Sequence, residues 1–309
     1  MRKYLAGTIF LIIGLAAIVI LLVWPKTYQE TDDSTVNVVA TFLPVGLIAQ
    51  EIFHDVANVE LLADPLQDPH SYAYTPDDLK ALERADLIIT LGVGDLELWM
   101  NDALEIVDRN ISQVALATEL DLKRYADDHS HAHEDTGALS YDPHVWLDPV
   151  NSQLMATKLR DAAIVFYPDQ AENIETNFTN YSTKMIALES ELSESLAEYA
   201  GASFVAPHSA FAYFAQRFGL EEIGSVYLSP ERTPTPEEVA NLSRIIQENE
   251  ITHIYTEPET DSDFIASLAK DLNLTIAVLD PLGTGKFEIG YYEKVMRANF
   301  QALIQGFPQ

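Results

Sequence analysis

The stretch NVVATFLPVGLIAQEIF at 37–53 has a counterpart, SFVAPHSAFAYFAQRFG, at 203–219. TPDDLKAL at 75–82 returns in the same order as TPEEVANL at 235–242. In each first member a short run of strand formers leads into a helical run, and Ala49-Gln50 recurs as Ala215-Gln216. In each second member a threonine stands where it can cap a helix, proline follows at the first helical position, and acids fill the first turn. The strand DLIITLG, which ends at Gly92, is matched by THIYTEP near 252–258. Strands alternating with helices, used twice, predict an α/β fold. Its plan is two similar lobes, each built on a central parallel sheet.

Between the repeats, residues 168–200 hold no glycine and only an opening proline. Ile174, Phe178, Tyr181, Met185, Leu188, Leu192, Leu196 and Tyr199 recur at steps of three and four. That spacing predicts one helix roughly 45 Å long at 1.5 Å per residue. A helix of that length joins the lobes stiffly. The expected division is therefore a segment at 1–26, a polar tether at 27–35, a lobe at 36–167, the linker helix at 168–200, and a second lobe at 201–309.

Arg2 and Lys3 precede an uncharged stretch from Leu5 to Trp24. About twenty apolar residues suffice to cross a bilayer, and flanking basic residues stay cytoplasmic. No small-x-small cleavage site follows, so an uncleaved anchor is expected rather than a secretory signal. A cleaved segment would make the protein secreted. Either way the working part is extracytoplasmic. Formal net charge is -30, from 48 acids against 18 bases, which excludes nucleic acid as a partner. Cysteine is absent, so there are no disulfides, thiolate metal sites or lipidated cysteine, and any transition-metal site must use histidine and carboxylate.

The eight histidines are unevenly placed. His70 and His144 each stand in the frame Asp-Pro-His, in LQDPHSYAYTPDDL and YDPHVWLDPV. Proline stiffens such a loop, aspartate accepts local backbone hydrogen bonds, and a carboxylate on the second ring nitrogen fixes the tautomer. His208 follows the strand SFVA, and Asp280 follows the strand TIAVL. Ligands of open α/β sheets bind at the carboxyl ends of strands. Three histidines and a carboxylate, two from each lobe, can therefore converge between lobes as a metal site. Glu257 ends a strand and is expected in a structural role or behind the ligands. His54 and His253 read as structural. The tract DDHSHAHED at 127–135 can collect cations loosely. No dinucleotide fingerprint, phosphate loop or nucleophile elbow is present.

The pieces DPHSYAYTPDDLKALERADLIITLGVGDLELWM, DPHVWLDP, HSAFAYFAQRFGL and LDPLG resemble the solute-binding proteins of zinc and manganese ABC transporters. The resemblance covers nearly all of the chain after residue 36. It implies two α/β lobes joined by a rigid helix, with metal in the cleft between them. It implies His70, His144 and His208 as ligands and Asp280 as the carboxylate many members add. A histidine at the third position favours zinc, with manganese as the alternative. The implied function is capture of a divalent ion outside the cytoplasm and delivery to an ABC-type membrane permease, with no enzymatic activity. Two rival readings are a zinc-dependent hydrolase using Glu257 as base and a surface adhesion protein with a structural metal.

Overall fold

The computed structural model describes residues 37–124, 141–227, 234–258 and 263–307. The expected membrane segment from Leu5 to Trp24 and the histidine tract at 127–135 lie outside these residues. Among the described residues no helix is long and apolar enough to cross a membrane.

The first half is built on β1 (Asn37–Ala40), α1 (Leu43–Phe53), β2 (Asn58–Leu61), α2 (Pro76–Arg84), β3 (Leu87–Thr90), α3 (Trp99–Val107) and β4 (Ser112–Ala115). Its four strands are parallel in the order β2-β1-β3-β4. The central strands are apolar on both faces because helices cover both: Val38, Val39, Ala40, Leu87, Ile88 and Ile89 have no exposed surface. Two long helices follow, α4 (Pro149–Phe166) and α5 (Ala171–Leu196), which pack on each other as a hairpin. The second half comprises β5 (Ser203–His208), α6 (Ala212–Phe218), β6 (Glu221–Tyr227), α7 (Pro236–Glu248), β7 (His253–Thr256), α8 (Asp263–Leu272), β8 (Thr275–Val278) and α9 (Tyr291–Gly306). β5 pairs parallel with β6, β7 pairs parallel with β8, and β5 lies beside β7. The second half therefore holds two two-stranded parallel sheets, β5-β6 and β7-β8, side by side, where the sequence predicts one central sheet like that of the first half.

The repeated caps are real in both halves. Thr75 Oγ1 accepts from Asp78 N while the Asp78 carboxylate accepts from Thr75 N and, at 2.6 Å, from Tyr72 Oη. Thr235 and Glu238 form the same reciprocal pair at the start of α7.

The helix read from the stripe at 168–200 is α-helical from Ala171 to Leu196, with a 3-10 turn at each end, Pro168–Gln170 and Ala197–Tyr199. Ile174, Tyr181, Met185, Leu188, Leu192 and Leu196 are its buried face. This helix is not a free-standing strut. It packs on α1, α4 and α9, so one face contacts both halves. The main core is accordingly continuous. It runs from Val38, Ile48 and Trp146 through Leu188 to Phe204, Phe214 and Leu303. Smaller cores lie under α2 and α3 (Val39, Leu82, Ile88, Met100) and under α7 and α8 (Val205, Leu242, Ile254, Ile265). A shared close-packed core resists continuous deformation, so the site between the halves sits on a stiff base.

Candidate metal centre

The chain contains five Asp-Pro dipeptides, and all five fold the same way. In each, the aspartate Oδ1 accepts the backbone N–H two residues on. The pairs are Asp64 with Leu66 (2.9 Å), Asp68 with His70 (2.9 Å), Asp142 with His144 (2.9 Å), Asp148 with Val150 (2.9 Å) and Asp280 with Leu282 (2.7 Å). Proline fixes its own φ and keeps the preceding aspartate extended, which leaves the carboxylate facing that N–H. The Asp-Pro-His frame is therefore a rigid mount for imidazole, and the chain uses it twice.

His70 sits in a 3-10 turn, Pro69–Ser71, between β2 and α2. His144 precedes the turn Val145–Leu147 that leads into α4. His208 is the last residue of β5, so the strand runs two residues past the expected SFVA and Pro207 ends within it. One ring nitrogen from each lies within 4.8 Å of the other two. His144 and His208 are 1% and 4% exposed, and His70 is half-buried.

The tautomers follow from the neighbours. His144 Nδ1 lies 2.8 Å from Asp142 Oδ1, and His208 Nδ1 lies 2.6 Å from Glu257 Oε1. A carboxylate accepts, so each Nδ1 carries the proton and each Nε2 presents a lone pair. Those Nε2 atoms converge: His70 to His144 is 3.3 Å, and His144 to His208 is 3.2 Å. Lone pairs this close repel unless a proton or a cation lies among them. A tetrahedral zinc with Zn–N near 2.0–2.1 Å holds its ligands about 3.3–3.4 Å apart. The two observed separations come close to two edges of that tetrahedron.

The surroundings are acidic. Burial lowers the pKa of His208, but the hydrogen bond and charge of Glu257 outweigh it, and the net shift is upward. Burial pushes Asp280 up to about 6, opposed by the Leu282 N–H. Burial and the charge of Asp142 push Glu222 up to about 8, and its Oε2 is buried with no hydrogen-bond partner among the described residues. Glu222 was not anticipated from sequence: in EEIGSVY it is one acid beside another at a strand start, with no signal of its inward aim. Asp280 lies outside the three-histidine set. Its Oδ1 is engaged by Leu282, and its backbone N–H is held by Asn299 Oδ1 at 2.8 Å. Glu257 lies behind His208, the position expected of it. His54 caps the end of α1, and His253 opens β7 beside Thr252, both away from the site.

Bonds between the halves fix the frame. The fully buried Trp146 donates Nε1–H to Pro281 O at 2.8 Å, and Tyr292 Oη donates to Trp146 O at 2.7 Å. Tyr213 Oη donates to Asp142 O at 3.0 Å. Arg217 closes a bidentate pair on Asp148 at 2.8–3.0 Å.

Comparison with known proteins gives a consistent picture. The family described as "ZnuA: Zinc-uptake complex component A periplasmic" matches residues 38–306. The zinc-binding lipoprotein AdcA of Streptococcus pneumoniae is 31% identical over 286 residues, which is 90% of this chain and 57% of that protein. This chain thus spans little more than half the length of that relative. The high-affinity zinc uptake system protein ZnuA of Yersinia pestis is 27% identical across 80% of this chain and 83% of its own length. Among solved structures, Zn(II)-bound AdcA from Streptococcus pneumoniae superposes with a TM-score of 0.74 at 28% identity, over 89% of this chain and 58% of that one.

Proposed function

This chain belongs to the ZnuA family of periplasmic zinc-uptake components, and on that premise we propose that it captures a divalent metal ion, zinc by preference, outside the cytoplasm and delivers it to an ABC-type permease. The observation that carries this reading is the convergence of three imidazoles, with His144 Nε2 3.3 Å from His70 Nε2 and 3.2 Å from His208 Nε2, and with His144 and His208 held in the ligating tautomer by Asp142 and Glu257. An all-imidazole trio suits zinc over manganese, which favours oxygen donors. His70, His144 and His208 hold the ion, and the Asp280 carboxylate is the candidate for the fourth position once it turns from its present place. The lobes are 36–167 and 201–309, with 168–200 between them.

The ion is cargo here rather than a catalyst. Glu257, the base a hydrolase would need, already accepts from His208 Nδ1 and is not free to activate water. In this reading residues 5–24 anchor the protein to the membrane, 27–35 tether it, and the histidine tract at 127–135 gathers cations before capture.

The test is calorimetric titration of the metal-stripped protein with Zn²⁺ and with Mn²⁺, beside a His144→Ala variant. One tight zinc site, lost in the variant while the fold persists, is the expected result. Tight manganese with weak zinc would overturn the choice of metal. Unfolding on metal removal would instead make the metal structural.

A further inference from the structure

The buried face of α9 runs Tyr292, Val295, Met296, Asn299, Phe300 and Leu303. Asn299 holds an apolar slot in that stripe and is 1% exposed. A buried amide is costly unless its polar ends are bonded. Both ends are bonded here, and to the same residue: Oδ1 accepts from Asp280 N at 2.8 Å, and Nδ2 donates to Asp280 O at 2.7 Å. One side chain thus holds the backbone N–H and C=O of the residue that is the candidate fourth ligand. β8 ends at Val278, and Asn299 supplies at Asp280 the bonds that a neighbouring strand would otherwise give.

The turn that follows is strained. Of the five Asp-Pro turns, this one alone puts its third residue at positive φ. Leu282 has φ 61°, while Leu66, His70, His144 and Val150 stay out of that region. A bulky residue there is an outlier and persists only where its surroundings over-determine it. Here they do so residue by residue. Asn299 holds Asp280, Trp146 Nε1 donates to Pro281 O at 2.8 Å, and the Leu282 side chain is fully buried. Further along, Gly285 N donates to Pro65 O at 2.6 Å. The backbone of this segment is therefore pinned from both sides. What is left to turn is the Asp280 side chain, which must release the Leu282 N–H from its Oδ1, now at 2.7 Å, before it can reach an ion.

We propose that Asn299 is a positioning residue of the metal site: by locking the Asp280 backbone it lets the carboxylate join the ion by side-chain rotation alone. Proline suffices to stiffen the mounts of His70 and His144. The Asp280 mount needs this second clamp, because a turn with Leu282 at positive φ would otherwise relax and carry the carboxylate with it. Metal geometry tolerates little misplacement, so a ligand that swings has to swing from a fixed point. This rests on the capture reading above, with Asp280 in the fourth position.

The test is a double-variant cycle on the full chain: wild type, Asp280→Ala, Asn299→Ala, and both together. Zinc affinity is read by competition with a chelator. The ligand set is read from the visible absorption of the Co²⁺-loaded protein, which responds to coordination and not to a general loss of stability. Asn299→Ala should lower zinc affinity by about tenfold and move the cobalt spectrum toward that of Asp280→Ala. In the Asp280→Ala background it should change affinity by less than about twofold, because its effect passes through Asp280. Should Asn299→Ala not fold, Asn299→Asp takes its place in the cycle, since it keeps the size and the acceptor for Asp280 N but loses the donor to Asp280 O. An unchanged affinity and spectrum in the Asn299 variant would overturn the inference, and so would losses that multiply in the double variant. An Asp280→Ala variant identical to wild type would overturn it too, while leaving capture by the three histidines standing. Absence of a tight zinc site in the wild type would bring down the capture reading itself, so the failures stay apart.

Discussion

Glu257→Gln is the most informative single change at the centre. The glutamate accepts from His208 Nδ1 at 2.6 Å, and its side chain is 20% exposed, so this is a charge-assisted bond with little solvent competition. It has two effects of opposite sign. It orients the ring and raises its basicity toward metal, and losing such a partner typically costs 10–100-fold in metal affinity, about 1.4–2.7 kcal/mol. It also raises the His208 pKa despite burial, so it strengthens the proton that competes with metal. Glutamine keeps the shape and an acceptor but removes the charge. Zinc affinity should fall by about 10–100-fold at pH 8, where protons compete least for His208. Near pH 5.5 the loss should shrink, because the variant no longer favours the competing proton. The assay is competition titration with a chelator of known affinity across pH 5.5–8. An unchanged affinity at pH 8, or a loss of equal size at every pH, would refute the assigned role.

Three further outcomes follow from the packing and the titrating groups. Glu222 is a carboxylate whose pKa is raised in the folded state, so it contributes stability below its ordinary range near 4.5 that is lost as pH rises toward about 8. Glu222→Gln should therefore raise the melting temperature of the metal-free protein at pH 8, on the order of 2 °C, and give no gain at pH 4.5 by calorimetry. Trp146→Ala removes a side chain 1% exposed, its edge contact with Phe42 at 5.5 Å and the bond to Pro281, and should cost about 3–5 kcal/mol in denaturant unfolding. Thr75→Ala and Thr235→Ala each remove one cap, so each should cost about 1 kcal/mol, and the double variant should show the sum.

What the sequence made legible is what local chemistry decides. The caps at Thr75 and Thr235, the buried stripe from Ile174 to Leu196, and the strand-helix alternation each depend on residues within a few positions of one another. The Asp-Pro-His frames belong to the same class: proline and an i-to-i+2 hydrogen bond suffice to predict a stiff mount. The two frames and two strand ends pointed to His70, His144, His208 and Asp280; the fold brings the three histidines together and leaves Asp280 outside that set.

The rest is decided by contacts distant in the chain. Trp146 reads as one more core residue, and only the fold shows its indole bonding to Pro281, 135 residues away. Glu222 carries no pattern that separates it from Glu221; its inward aim depends on how β6 lies on β5. Glu97 is similar: it joins the loops after β1 and β3 through Thr41, Leu91 N (2.9 Å) and Gly92 N (2.8 Å), which no spacing foretells. The stripe of α5 predicted a long helix, but its helical partners α1, α4, α6 and α9 are spread along the chain on both sides of it.

The most direct measurement is a crystal structure of the zinc-loaded protein with anomalous diffraction recorded at the zinc absorption edge. The account predicts one strong peak about 2.0–2.1 Å from the Nε2 atoms of His70, His144 and His208, with the fourth position taken by Asp280 or a water. A zinc peak elsewhere, or one bonded through Nδ1 with Asp142 and Glu257 displaced, would contradict it.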